Sequence, residues 1–313
     1  MKVLIFTHKS DIDGMGGAVL ANLAFDEIDY VLCETFNLQD EIKKYYDTGK
    51  IYDYDMVYVT DLWLEEPTLY RVANDPKLKG KFKVFDHHES AVNEGFNKYD
   101  FTTIRINDDK GKCSGTSLFY GYLVKEGLIE NTNAIDEYVE LTRRYDTWEW
   151  KNIYDDEKAH ELTLLFDAVG CDGFIKLMIN KLNNNLSDKF EFDELEKMLI
   201  NNKKDQVKSK LESYLEKIEI REVLGHKAGI VFIDYEFRND LAEYLRNINY
   251  DIDLVIEIAM DYGTISYRRI KENFKVREIA EYFGGKGHDY VASSPIYSSA
   301  KEEIVNTLLK RRD

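Results

Sequence analysis

The chain has 313 residues, 44% of them hydrophobic and 13% aromatic, and its formal net charge is −17. This length suggests about two domains with a large core, and the composition is that of a folded protein. An acidic surface repels long duplex nucleic acid, whose affinity depends mostly on Lys and Arg contacts to phosphate. We therefore exclude long duplexes as partners, and otherwise interpret the acidity as a solubility feature.

The cysteines predict a reducing compartment and the hydropathy predicts a soluble chain. Cys33, Cys113 and Cys171 are too few and too scattered for a disulfide framework, and no CxxC spacing indicates zinc. The N-terminus lacks the features of a signal peptide, and no apolar run reaches membrane-spanning length. We expect a cytoplasmic protein with no membrane partner.

Short apolar runs alternate with helical patterns in the first half, which is typical of parallel α/β units. From Ser114 to about Phe166 the pattern is mainly helical, and Ser114 is a candidate helix N-cap. The candidate strands are VLIFTH (3–8), YVLCETF (30–36), MVYVTD (56–61), FKVFDH (82–87) and TTIRIN (102–107).

A long amphipathic helix is predicted over 193–220, where apolar residues recur near the helical period between Lys and Glu. After it, the strands GIVFID, DLVIEIAM and TISYRRI alternate with the helices DLAEYLRNI, VREIAEYF and EEIVNTLLKRR. The sequence thus predicts an α/β fold in which a parallel-sheet domain is joined by a long helix to a smaller α/β domain. We place the domains at 1–185 and 223–313, with a helical linker over 186–222.

Carboxylate and imidazole groups fall at the ends of three predicted strands. Ligands in an open α/β sheet bind at the carboxyl ends of its strands, so these side chains are expected at one edge of the sheet. They are His8, Asp11 and Asp13 after the first strand, Asp61 at the end of the third, and Asp86, His87 and His88 at the end of the fourth.

Divalent-metal binding is the chemistry that needs this set. Mixed His and Asp ligation suits Mn²⁺ and related ions, and crowded carboxylates without cations would raise each other's pKa values. A carboxylate shared by two metal ions about 3.5–4 Å apart is the usual means of activating water for attack on phosphorus. Each Asp alone could be a turn residue or an N-cap, but the coincidence at one edge favours a metal site.

Four segments resemble the motifs of the DHH phosphoesterase superfamily: HKSDID, VTD, FDHH and RYDTW. CSGTSLFYGYL is similar to the family's helix start after the third motif. FGGKGHDYVASS resembles the GGGH motif of the associated DHHA1 domain, and SYRRI resembles its Ser-Leu-Arg strand. Lys286 stands at the third glycine position, and VASS replaces Ala-Ala-Gly. The length and layout are most similar to those of the short-oligonucleotide phosphodiesterases.

The resemblance implies a binuclear metal site and a substrate-binding domain. Two divalent ions, preferentially Mn²⁺, would be held by His8, Asp11 and Asp61 and by Asp13, Asp61, His87 and Asp146, with Asp61 as the bridge. His88 would contact the phosphate or assist proton transfer, and Asp86 would orient its neighbours. Arg268 and His288 would bind the terminal phosphate or nucleotide through their side chains. The backbone of Gly284, Gly285, Lys286 and Gly287 would approach the phosphate closely.

The implied activity is hydrolysis of short single-stranded oligonucleotides to nucleoside monophosphates by two-metal activation of water. A cyclic mono- or dinucleotide phosphodiesterase stays open, because the same site attacks any accessible phosphodiester. A third possibility, from another class, is an inactive nucleotide-binding sensor, which the complete set of acids disfavours. We expect a monomer or a homodimer.

Overall fold

The computed structural model describes residues 1–184, 188–272 and 274–308. It divides into two compact units, Met1–Lys203 and Lys204–Asp313. This division falls within the segment 186–222 that we interpreted as a linker. The assignment of a catalytic and a substrate-binding domain stays a prediction.

The first unit is built on a five-stranded parallel sheet with the order β2-β1-β3-β4-β5. The predicted parallel sheet is therefore confirmed. Its strands are β1 Lys2–His8, β2 Glu27–Cys33, β3 Met56–Thr60, β4 Phe82–Asp86 and β5 Thr102–Ile104, and a small hairpin follows, β6 Asn107–Asp108 and β7 Gly111–Lys112.

Helices cover the sheet of this unit. The interior strand β1 is buried from Val3 to Thr7, which explains its continuous apolar run. The helix predicted after Ser114 begins with a capping box between Ser114 and Ser117. The helices are α1 Ile12–Ala24, α2 Leu38–Asp47, α3 Glu66–Ala73, α4 Glu89–Asn93, α5 Gly115–Lys125, α6 Asn133–Asp146 and α7 Glu157–Asn183, the last kinked at Gly170.

The second unit holds a six-stranded mixed sheet with the order β12-β13-β11-β10-β9-β8. Strands β9 and β10 are parallel, and the other neighbouring pairs are antiparallel. The strands are β8 Glu219–Val223, β9 His226–Phe232, β10 Leu254–Ala259, β11 Thr264–Arg269, β12 Lys286–Gly287 and β13 Val291–Pro295.

The long predicted helix is shorter than expected, and its predicted end at residue 220 is wrong. Helix α8 spans Glu194–Leu215, and β8 begins at Glu219. Strand β8 pairs with β9 through a two-residue turn at Leu224 and Gly225, which both have positive φ (50° and 80°). Positive φ at both central residues is the geometry of a hairpin turn matched to strand twist, so EIREV joins the sheet instead of extending the helix.

Two helices cover opposite faces of the second sheet. Helix α9, Arg238–Asn247, packs Leu241 and Leu245 near Val255 of β10. Helix α10, Val276–Tyr282, covers the face that carries Tyr267. Helix α11 is described over Ser298–Leu308, and the rest of the predicted closing helix lies outside the described residues. Within the described ranges, no helix combines the length and apolarity needed to cross a membrane.

Candidate metal centre

The structure brings the predicted acids and histidines of the first unit together at the carboxyl edge of the parallel sheet. His8 Nδ1 lies 2.7 Å from Asp11 Oδ2 and 3.4 Å from Asp61 Oδ2. The other oxygen of Asp11 caps α1 by accepting a 2.8 Å hydrogen bond from the N–H of Gly14. Asp11 is therefore an N-cap and also a member of a group, with His8 and Asp61, whose donor atoms lie within 4.8 Å of one another.

A second group forms around His87. Its Nε2 lies 3.3 Å from Asp61 Oδ1, 3.4 Å from Asp146 Oδ2 and 3.8 Å from Asp13 Oδ2. Asp146, at the end of α6, is separated in sequence from the strand-end residues, but it lies in the same site. Asp61 therefore contacts one group through Oδ2 and the other through Oδ1, which is the arrangement that a bridging carboxylate needs.

The backbone of Asp61 has an unusual conformation that aims its side chain into the site. Its φ is 57°, in the left-handed region that Asp tolerates better than most residues. Its N–H donates a 2.9 Å hydrogen bond to the carbonyl of Phe85 on β4, and the residue is 3% exposed. The turn after β3 is thus fixed by its neighbouring strand.

Helix α5 holds Asp13 in place. The carboxylate of Asp13 accepts hydrogen bonds from the N–H groups of Gly115 (2.6 Å) and Thr116 (2.9 Å) in the first turn of α5. A helix N-terminus stabilises such an anion. A Cβ at Gly115 would lie 2.7 Å from the Cα of Asp61, so glycine is required for this approach. The segment CSGTS therefore supports two of the predicted ligands.

The electrostatics of the site favour the binding of positive charge. Burial raises the pKa of Asp61 well above its ordinary value, and the charges of Asp11 and Asp13 add to the effect. Burial and the charge of Asp13 likewise raise the pKa of Asp146. Burial lowers the pKa of His8, but its hydrogen bonds to Asp11 and Asp61 outweigh this and raise it to about 11. Carboxylates crowded in this way attract protons or cations.

The donor set fits a divalent cation. Asp146 Oδ2 is buried and has no hydrogen-bond partner among residues 1–184, 188–272 and 274–308, although it lies 3.4 Å from His87. An orphaned buried acceptor of this kind is costly unless a ligand satisfies it. Carboxylate and imidazole donors without thiolate suit Mn²⁺ and related ions better than structural zinc.

His88 and Asp86 form a pair beside the two groups. His88 Nδ1 lies 2.7 Å from Asp86 Oδ1, and Asp86 is fully buried at the end of β4. The ring of His88 is 5.3 Å from that of Trp63. His88 also belongs to a third group with Asp61 and His87, within 4.8 Å. A buried carboxylate that holds one ring nitrogen fixes the orientation of the imidazole.

Glu34 is a member of the site that the sequence interpretation missed. Its Oε2 lies 3.3 Å from His8 Nε2, and its Oε1 accepts a 2.7 Å hydrogen bond from Ser10 Oγ. The predicted second strand ran to residue 36, whereas β2 ends at Cys33. Glu34 therefore directly follows a strand, and this position would have identified it.

In the second unit, Arg268 on β11 pairs with a buried acid that was not predicted. Its Nε donates a 2.8 Å hydrogen bond to Oε2 of Glu257, which is fully buried on β10. Burial raises the pKa of Glu257 to about 8, although the charges of Arg268, Arg238 and Arg246 oppose this shift. The hydrogen bond to Glu257 thus fixes the position of the Arg268 guanidinium.

The glycine-rich segment contains β12 and the start of the turn to β13. A Cβ at Gly285 would lie 2.1 Å from the carbonyl oxygen of Ser293, so close packing already requires glycine there. Three N–H groups donate within the chain: Gly284 to Glu281, Gly285 to Ala280 and His288 to Val291. Phosphate binding by Gly284, Gly285 and Gly287 stays a prediction, and the exposed polar side chains of the segment are those of Lys286 and His288.

Other basic residues near Arg268 in sequence are neutralised by acids. Lys271 Nζ lies 2.7 Å from Asp251 Oδ1. Lys275 and Arg277 both lie near Asp289, at 3.5 and 3.4 Å. These pairs weaken any attraction that Lys271, Lys275 and Arg277 exert on a distant anion.

Comparison with known proteins places the chain in a family. Over 97% of this chain and 88% of the other, the fold is similar to that of the exonuclease RecJ bound to manganese, with 11% identity and a TM-score of 0.54. A member of the s1p family of ribosomal proteins, described as a DHH domain, matches 100% of this chain and 87% of its own, with 15% identity and a TM-score of 0.54. The fold is therefore that of the DHH-domain proteins, as the motifs predicted.

The sequence itself is 32% identical to oligoribonuclease NrnB of Bacillus subtilis (strain 168), over 96% of this chain and 74% of the relative. The chain belongs to the NrnB family. No family model matches the sequence.

Proposed function

We propose that this protein is a divalent-metal-dependent phosphodiesterase that hydrolyses short single-stranded oligonucleotides to nucleoside monophosphates. The observation that carries the proposal is the pair of His/Asp groups that share Asp61. Membership of the NrnB family supports the substrate class, since the curated relative is an oligoribonuclease.

Two divalent ions, when bound, supply the positive charge that activates water and stabilises a phosphorane-like transition state. We assign His8, Asp11 and Asp61 to one ion, and Asp13, Asp61, His87 and Asp146 to the other. Mn²⁺ is our choice of metal, because the donors are mixed nitrogen and oxygen and the similar RecJ structure contains manganese.

The remaining residues position substrate and protons. Asp86 holds His88 through Nδ1, so the ring can present Nε2 to a phosphate oxygen or to the departing oxygen atom. Arg268, fixed by Glu257, is assigned to a substrate phosphate, together with Lys286 and His288. The unit that contains these three residues is the substrate-binding domain of this proposal.

The test is a Mn²⁺ assay on RNAs of two, three and five nucleotides, a long single strand, cyclic AMP and a cyclic dinucleotide. We expect monophosphate release to be fastest from the shortest RNAs and to be lost in Asp61→Ala and His87→Ala. If a cyclic substrate is hydrolysed fastest, the protein is a cyclic-nucleotide phosphodiesterase and the oligonucleotide assignment is wrong. Full activity in both variants would overturn the metal assignment, and a protein that binds nucleotides without hydrolysing any substrate would be a sensor.

A further inference from the structure

The second unit carries a three-membered stack of side chains that the proposed function has not used. Tyr262, in the turn between β10 and β11, stacks on Tyr235 with ring centroids 3.7 Å apart and an interplanar angle of 10°. The guanidinium of Arg238 lies 3.1 Å from the centroid of the same Tyr235 ring. Two groups at these distances cannot share one face, so Tyr235 is sandwiched between Arg238 and Tyr262.

Tyr262 presents an open aromatic surface. One face of its ring is covered by Tyr235, yet the residue is 67% exposed. The opposite face therefore lies in solvent. The stack fixes the orientation of this ring before any ligand binds, which lowers the entropic cost of using it as a binding surface.

Hydrogen bonds and the register of β10 with β11 place the stack on the same part of the sheet as Arg268. Arg238 donates from Nε to the carbonyl oxygen of Tyr235 (2.7 Å) and from Nη1 to Ser266 Oγ (3.0 Å). Ser266 is the cross-strand neighbour of Glu257, and Glu257 accepts the hydrogen bond of Arg268. Arg238 thus joins the stack to Ser266, whose cross-strand neighbour Glu257 binds Arg268.

The charge of this set favours an anion. Glu257 is one buried carboxylate influenced by three arginines, Arg238, Arg246 and Arg268. Within the described part of the chain, the Nη atoms of Arg268 make no hydrogen bond. The side chain is 14% exposed, so part of it is open to a ligand. Unused guanidinium donors of this kind match the geometry of a phosphate.

We propose that Tyr262 is a base-stacking platform, and that a short oligonucleotide binds with one base on the open face of Tyr262 and a phosphate further along its strand on Arg268. The inference rests on the proposed function for its choice of ligand, a short oligonucleotide. Every base has a flat π-face, so the platform accepts different bases and gives affinity without strong sequence preference. The guanidinium of Arg238 over the Tyr235 ring helps to hold the stack together.

The test uses 5′-phosphorylated diribonucleotides with the fluorescent base 2-aminopurine at one or the other position. Titration in EDTA measures binding without turnover, and stacking on an aromatic ring quenches the probe. The proteins are the wild type, Tyr262→Ala and Tyr262→Phe. Tyr70→Ala is the matched control, because Tyr70 is another exposed tyrosine (64%) but lies on α3 of the first unit.

We expect one of the two probes to be quenched by the wild type, by Tyr262→Phe and by Tyr70→Ala. Tyr262→Ala should lose this quenching and bind about 5- to 150-fold more weakly, the range for loss of one base–aromatic stack. Equal affinity and quenching in Tyr262→Ala, or no dinucleotide binding by the wild type, would overturn the inference.

Hydrolysis of the same dinucleotides with Mn²⁺ separates this inference from the proposed function. If the wild type hydrolyses the dinucleotides and Tyr262→Ala has the same KM, the result contradicts the stacking platform but not the proposed function. Tyr262-dependent binding without hydrolysis of any tested phosphodiester contradicts the proposed function and leaves the platform supported.

Discussion

The carboxylate of Asp13 accepts a 2.6 Å hydrogen bond from the backbone N–H of Gly115, which lies 102 positions further along the chain. This bond joins the first turn of α1 to the first turn of α5. Gly115 also packs against the backbone of Asp61, so one helix terminus positions two of the acids assigned to the metal ions. The candidate metal site therefore depends on a residue, Gly115, that has no donor side chain of its own.

Gly115→Ala should damage both stability and metal binding. Its Cβ would lie 2.7 Å from Asp61 Cα, and overpacking of this kind costs about 1–3 kcal/mol. Displacement of Asp61 should also weaken Mn²⁺ binding by at least about 10-fold. Urea unfolding and Mn²⁺ titration calorimetry measure the two effects.

Gly121→Ala is the matched control for this change. Gly121 lies in the same helix, and a Cβ there would have nothing within 4 Å. Alanine in a helix interior is favoured over glycine by about 0.5–1 kcal/mol, so this variant should be slightly more stable and should bind Mn²⁺ normally. Normal stability and metal affinity in Gly115→Ala would show that the helix terminus does not hold the site.

Glu34→Ala should weaken metal binding although Glu34 is not assigned as a ligand. The carboxylate lies 3.3 Å from His8 Nε2, which leaves Nδ1 directed to Asp11 and Asp61. Loss of such an orienting partner typically costs 10- to 100-fold in metal affinity. Calorimetry with Mn²⁺ measures it, with the exposed Glu94→Ala as control. Equal affinities in the two variants would remove Glu34 from the site.

Arg268→Ala should raise KM for dinucleotides about 10- to 150-fold while changing kcat less, because a charge-assisted hydrogen bond contributes about 1.5–3 kcal/mol. The substitution also leaves the buried Glu257 without its hydrogen-bond partner, so Arg268→Ala combined with Glu257→Gln is the companion variant. Arg277→Ala, which loses a pair with Asp289, is the control. A KM like that of the control would argue against a phosphate contact.

Glu257 should make stability fall as pH rises. The pKa of Glu257 is about 8 in the folded protein, against an ordinary value of 4.5, so the folded state binds this proton more tightly than the unfolded state does. The resulting stabilisation is complete below pH 4.5 and is lost as pH rises towards 8.

Comparison with Glu257→Gln isolates this contribution, because the amide does not titrate and all other groups are common to both proteins. Between pH 5 and pH 8 the free energy of unfolding of the wild type should fall relative to that of the variant by on the order of 3–4 kcal/mol. Urea unfolding at a series of pH values measures the difference. Parallel pH profiles would mean that Glu257 is ionised in the fold throughout this range.

The sequence by itself determined the parallel sheet and most of the residues of the candidate metal site. Apolar runs ended at or within one residue of His8, Asp61 and Asp86, and parallel strands deliver such residues to one edge. Strand periodicity is a local property, so it can be read from neighbouring residues. The motifs added Asp146, whose helical segment gave no geometric reason to place it with the others.

Tertiary structure decided what supports these groups. The contacts of Asp13 with Gly115, of Glu34 with His8 and of Tyr235 with Tyr262 join residues distant in sequence, and no periodic pattern encodes them. Glu257 sits in the run LVIEIA, where alternation alone does not distinguish a solvent-facing acid from one buried under α9. The pairing partner, Arg268, lies on the next strand, and the sheet register brings the two together.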